Sequence, residues 1–181
     1  TVSLGLLVAC ELTILLPSII WWIICSGNLA KPTEPIAGLL SIGLQRGIPF
    51  ALVTYFLLWW FHSVPENLPY TGFVGHKLPQ FQAIAFMVGS FGAFCEEFYF
   101  RRMLLTMMQQ TMRPGFAVIL NAVLFALWHP NAYTNPGHMA AIIACGVFFS
   151  ILMTRYRSVV PCVICHALVN VSSVFFANFR L

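Results

Sequence analysis

The chain has 181 residues, 60% hydrophobic and only 8% charged, with a formal net charge of +4 and a mean hydropathy of +0.86. A water-soluble domain carries about a quarter charged residues, so this composition excludes a soluble globule and makes lipid the main solvent. The nine Lys and Arg are scattered without a basic run or stripe, which excludes a nucleic-acid partner.

A bilayer span needs about 20 consecutive apolar residues, and six such segments follow one another. The first runs from about Leu4 to Cys25, carries Glu11 and contains Pro17. "SGNLAKPTEP" reads as a polar turn. The second covers about Ile36 to Phe61, with Arg46 and Pro49 inside it. Glu11 and Arg46 are expected to pair across these two spans. A Pro- and Gly-rich connector, "HSVPENLPYTGFVGHKLPQ", is expected at the interface, where His62 and His76 need no special account. Trp21, Trp22, Trp59 and Trp60 read as interfacial belts.

The third segment, about Phe81 to Met112, has no proline and would extend roughly 48 Å as one helix. It must therefore tilt, project from the lipid or break. The fourth, about Phe116 to Trp128, is short and stops at "HPNAYTNPG"; the fifth runs from about His138 to Thr154; the sixth spans about Val159 to Phe179. The expected fold is all-α: a polytopic transmembrane helical bundle of about six spans, forming a single integral-membrane domain over 1–181. Loop charges put Lys31, Arg113, Arg155 and Arg157 on one side, which the positive-inside rule makes cytoplasmic. Thr1 then lies outside. The chain opens on Thr1 rather than Met, so a preceding segment is expected, with room in it for a further span.

Ionisable groups at membrane depth cost about 2.5 to 3.5 kcal/mol each on insertion scales, so they mark function by default. The stretch "FCEEFYFRRM" holds four of them, Glu96, Glu97, Arg101 and Arg102. Glu97 and Arg101 are four apart and share a helix face, so they can pair. Glu96 is about 100° round the helix and is expected to point elsewhere. Taken alone, the cluster reads first as a structural ion pair with an interfacial Glu. His129 closes "FALWH" at the end of span four, and in "HALVN" His166 and Asn170 are one turn apart on one face. Alone, each has an ordinary explanation: an interfacial histidine, or interhelical glue. Together, a Glu beside a His can deprotonate water, and a His and an Asn aimed at one point can stabilise an oxyanion.

The ordered triple Glu96-Glu97-x-x-x-Arg101, Phe125-x-x-x-His129 and His166-x-x-x-Asn170 resembles the signature of the CAAX protease and bacteriocin-processing (CPBP, or Abi) family. The motif-bearing part is about 81–181, roughly the last half of the chain. The resemblance implies a glutamate-type intramembrane endopeptidase. In it Glu96 is the general base, His129 helps hold the water, His166 and Asn170 form the oxyanion hole, and Glu97 and Arg101 organise the site. It implies no cofactor, and a peptide or protein substrate, membrane-associated or lipidated. Where many members have Gly after the motif arginine, this chain has Arg102, so its packing there is expected to differ. Eukaryotic members cut prenylated CAAX tails; bacterial ones are linked to peptide maturation or bacteriocin immunity, and a bacterial cell membrane is the expected location.

Three rivals stand beside this reading. Two His and a Glu are zinc ligand types, but no H-E-x-x-H sets them on one helix. "CVICH" at 162–166 matches the haem-attachment string, yet it opens an apolar helix and reads as coincidence. A non-catalytic immunity or scaffold protein would keep the fold without needing such costly polar groups.

Overall fold

The structure is a computed structural model and describes residues 4–60 and 89–177. The connector after span two, the start of span three, His62, His76, Lys77 and Arg180 lie outside the described residues, as do the side chains of Trp59 and Trp60.

The described residues are helical, without strands. They form α1 (Leu4–Cys25), α2 (Ile36–Trp60), α3 (89–111), α4 (Pro114–Leu127), α5 (Pro136–Tyr156) and α6 (Val160–Ala177). The expected all-α, six-segment architecture is therefore found. Two helices, in the windows Ile36–Leu57 and Pro136–Tyr156, are long and apolar enough by themselves to cross a bilayer. α4 has 14 residues, roughly 21 Å, against an apolar core of about 30 Å. Its far end, where His129 sits, thus falls short of a full crossing.

Local chemistry accounts for the helix ends. α4 and α5 each place a proline at their start, where the missing N–H is no loss. Asn135 caps α5 by accepting the His138 N–H at 3.0 Å. α1 continues through Pro17, and the Ser18 hydroxyl donates to the Ile14 carbonyl at 2.6 Å. Hydroxyl bonds of this kind let proline sit inside membrane helices. α5 ends at Arg157, in the left-handed conformation with φ 52°, which reverses the chain into α6.

Small residues set the closest helix approaches, as is usual in lipid. A Cβ on Gly47 of α2 would lie 3.0 Å from the Cys165 Cα of α6, and one on Gly146 of α5 would lie 2.9 Å from the Ala122 Cα of α4. The core between α3, α4, α5 and α6 is built from Leu105, Ala117, Phe149, Leu152, Met153, Cys162 and Cys165. α1 packs separately on α3, through Ile14 and Leu15 against Cys95, and through Trp22 edge-on to Phe98.

That arrangement overturns one expectation. Arg46 is exposed on α2, and no ion pair joins it to Glu11 among the described residues. The glycine face of α2 is taken by α6, while α1 and its Glu11 turn toward α3.

Two bonds tie the basic loops to one end of the bundle. Thr33 N–H donates to the Tyr156 carbonyl at 3.1 Å, and Gln109 donates to Thr154 at 2.8 Å. Lys31, Arg113, Arg155 and Arg157 thus gather at one end, and His129 lies at the other end of α4.

Candidate active site

The centre of α3 is π-helical from Phe98 to Leu105, immediately after the two glutamates. Within the described residues 89–111 the segment widens its turn and does not break. π-Helical turns are rare and concentrate at functional sites. The Phe100 carbonyl within this stretch accepts the Asn121 amide of α4 at 2.8 Å, and Asn121 in turn accepts the Ser150 hydroxyl of α5 at 3.2 Å. The widened turn is thus held from two neighbouring helices.

Arg101 is fully buried here. Its Nη1 donates to Glu97 Oε1 at 3.1 Å, and its Nη2 donates to the Gly146 carbonyl at 3.3 Å. Its guanidinium lies 4.1 Å from the Phe125 ring centre, with Phe149 at 5.4 Å and Phe100 at 5.8 Å. Arg is suited to this setting because its flat, weakly hydrated cation stacks on aromatic faces. The expected Glu97–Arg101 pair is therefore formed, with both side chains at 0% exposure. Arg102 is half-buried beside it.

His166 joins this pair to its neighbour. Its Nδ1 lies 2.9 Å from Glu97 Oε1, and its Nε2 lies 3.9 Å from Glu96 Oε2. Glu96 and Glu97 do not simply diverge, as helix periodicity predicts: one imidazole, entering from α6, spans them. Phe149 stacks on that ring with centroids 5.2 Å apart, and Phe125 meets it edge-on at 5.7 Å.

His129 approaches from α4. Its Nδ1 is 2.8 Å from the Phe125 carbonyl, which can only accept, so Nδ1 carries the hydrogen. In the neutral ring Nε2 then presents a lone pair, 3.6 Å from Glu96 Oε2. That carboxylate oxygen is buried and has no hydrogen-bond partner among the described residues. Side-chain exposure falls from 29% at His129 through 12% at Glu96 to 7% at His166, so the site opens on the His129 side.

Asn170 differs from expectation. Its amide donates to the Gly89 carbonyl of α3 at 3.0 Å, so in this structure it does not share a target with His166. One amide hydrogen remains beyond that bond.

Several contributors escaped the sequence reading. Asn121 is a polar residue inside "VILNAVL", and that placement was the available signal. Phe149, Ser150 and the close approach at Gly146 carry no such mark. The thiols of "CVICH" are buried and donate to backbone carbonyls, Cys162 to Phe149 at 3.2 Å and Cys165 to Gly43 at 3.4 Å. Among the described residues, no three His, Cys, Asp or Glu side chains stand in a metal-binding arrangement.

Comparison with known proteins bears on this geometry. Neither the curated proteins nor the solved structures yield a match. The profile of the family described as Type II CAAX prenyl endopeptidase Rce1-like matches residues 78–172, just over half of the chain, and takes in all three motifs. The chain belongs to the Type II CAAX prenyl endopeptidase Rce1-like family of membrane peptidases.

Proposed function

We propose that this chain is an intramembrane endopeptidase that hydrolyses a peptide bond by general acid–base catalysis on Glu96. The observation that carries the reading is the unpartnered Glu96 Oε2, with His129 Nε2 at 3.6 Å and His166 Nε2 at 3.9 Å. These gaps exceed a direct hydrogen bond, and a water held among the three groups would satisfy the orphan oxygen.

In the reaction, His129 Nε2 accepts a hydrogen bond from that water and orients it. Its oxygen attacks the substrate carbonyl carbon while its other proton passes to Glu96. The carbonyl electron pair moves onto oxygen, and the oxyanion takes hydrogen bonds from His166 and from the remaining Asn170 amide hydrogen. With Nδ1 donating to Glu97, a His166 that also donates from Nε2 is an imidazolium, flanked by the two glutamates. Collapse breaks the C–N bond, and Glu96 returns its proton to the leaving amine. Glu97 and Arg101 hold His166 in place. No step uses a cofactor.

The substrate class is a membrane-associated peptide or protein. A prenylated cysteine tail and a bacterial peptide precursor are its two candidate forms. The location is a bacterial cell membrane, with the Lys31/Arg113/Arg155/Arg157 end cytoplasmic. Glu96→Ala and His129→Ala should abolish cleavage while the protein still inserts and folds. Comparing membrane peptides from wild-type and Glu96→Ala cells tests enzyme against scaffold and exposes the substrate. A purified Glu96→Ala protein that cuts a verified substrate at the wild-type rate overturns the mechanism. Elemental analysis of active protein tests the metal-free reading, which stoichiometric zinc lost together with activity would overturn.

A further inference from the structure

The proposed mechanism leaves one buried carboxyl unused. Glu11 lies on the α1 face that also carries Ile14, Leu15, Ser18 and Trp22, spaced three, four, seven and eleven residues on. Ile14 and Leu15 pack on Cys95, and Trp22 meets Phe98 with ring centres 6.3 Å apart. This face therefore lies against the turn of α3 that bears Glu96, and Glu11 interacts electrostatically with Glu96 and with Cys95. Glu11 Oε2 is buried without a hydrogen-bond partner among the described residues, and so is Glu96 Oε2. The cation expected to neutralise Glu11, Arg46, is exposed on α2.

From this geometry we infer that Glu11 is a third carboxyl of the site, a positioning residue that holds a proton beside Glu96 and presents it to that carboxylate. The inference rests on the base role proposed for Glu96. Two carboxylates brought together in an apolar setting do not both ionise readily, and such a pair carries one proton over a wide pH range. The imidazolium proposed for His166 sets its Nε2 3.9 Å from Glu96, and neither histidine pairs with Glu11, so the proton belongs on Glu11. Of the α3 groups on this side, Cys95, Glu96 and Tyr99 are not cations, and the half-buried Arg102 forms no ion pair with Glu11 among the described residues. Held this way, one Glu96 lone pair is fixed while others are left for water.

Infrared spectra of the full chain in lipid vesicles, without substrate, test the proton directly. A protonated-carboxyl C=O band at neutral pH should be present in the wild type, lost in Glu11→Gln and kept in Glu96→Gln. A band unchanged by Glu11→Gln overturns the inference. The positioning role is read from cleavage of a reporter peptide with a prenylated C-terminal cysteine motif. Glu11→Leu should lower kcat/KM by about 10- to 100-fold, and Glu11→Gln, which keeps a donor, should recover most of that loss. Glu11→Gln should also change the alkaline limb of the kcat/KM profile, leaving there only the loss of the His166 imidazolium proton, and keep the acid limb in place, because its amide cannot lose the proton. Superimposable profiles for wild type and Glu11→Gln overturn the positioning role. If Glu96→Gln cuts at the wild-type rate, the base assignment fails instead, and the infrared result still decides where the proton resides.

Discussion

Two neighbouring regions of α3 hold the same kinds of groups in opposite conditions. Around Arg101, charges cancel and exposure is nil: Glu97 and the Gly146 carbonyl take its terminal nitrogens, and Phe125 covers its face. Around Glu96, five residues earlier, a carboxylate oxygen faces two ring nitrogens at 3.6 and 3.9 Å and bonds to neither. The first region holds a direct ion pair, although Arg101 Nε and Glu97 Oε2 keep no partner among the described residues; in the second the groups face one another beyond direct bonding distance. Burying ionisable groups is therefore not the mark of chemistry here. The mark is a carboxylate oxygen that two imidazole nitrogens face without bonding to it.

This contrast can be broken by substitution. The largest effect should come from Glu96→Gln, which should lower turnover by about 100- to 10,000-fold, the range for a general base, and leave thermal unfolding in detergent nearly unmoved. Arg101→Met should act first on stability. Removing one partner of a buried pair costs about 3 to 5 kcal/mol, seen as a large drop in the unfolding midpoint, and Glu97→Gln in the same chain should restore part of it. If Arg101→Met stays as stable as wild type, the division between the regions is lost.

His166 and Asn170 sharpen it. Asn170→Ala and His166→Ala should each lower turnover by about 100- to 1000-fold. Only His166→Ala should also lower the unfolding midpoint clearly, because it leaves Glu97 without the ring. Near-normal turnover in both would remove them from the oxyanion role. The smallest effect should be that of Asn121→Ala, which strips the Phe100 carbonyl and the Ser150 hydroxyl of a partner. It should cost about 1 to 3 kcal/mol of stability, with turnover per folded molecule retained. A large loss of turnover at full stability would move the π-helical stretch from support into chemistry.

The sequence was informative where interactions are local. Apolar runs broken by Pro, Gly and polar turns placed six helices, and α1 falls where its run of residues predicts. The Glu97–Arg101 pair follows from a four-residue spacing on one helix. The three motifs were readable because polar residues are rare in lipid, so each stands out from its surroundings. Asn121 was readable on the same ground. Phe149 and Gly146 were not, since an aromatic or a glycine in an apolar run looks like ordinary packing.

What the chain alone determined is thus its solvent, its helices, and which polar groups had to be explained. What the tertiary structure decided is which groups face one another. Helix periodicity sends Glu96 and Glu97 apart, yet His166 arrives from α6 to span both. Spacing sets Asn170 beside His166, yet a carbonyl of α3 takes its amide. Charge matches Glu11 with Arg46, yet α1 packs its Glu11 face on the turn of α3 that bears Cys95 and Glu96. The reason is physical: helix formation and one-turn pairs depend on residues a few positions apart, which the sequence displays directly. The choice of neighbouring helix depends on where small residues let backbones approach, at Gly47 against Cys165 and at Gly146 against Ala122. Such fits exist only between surfaces, and no single segment carries both sides of one.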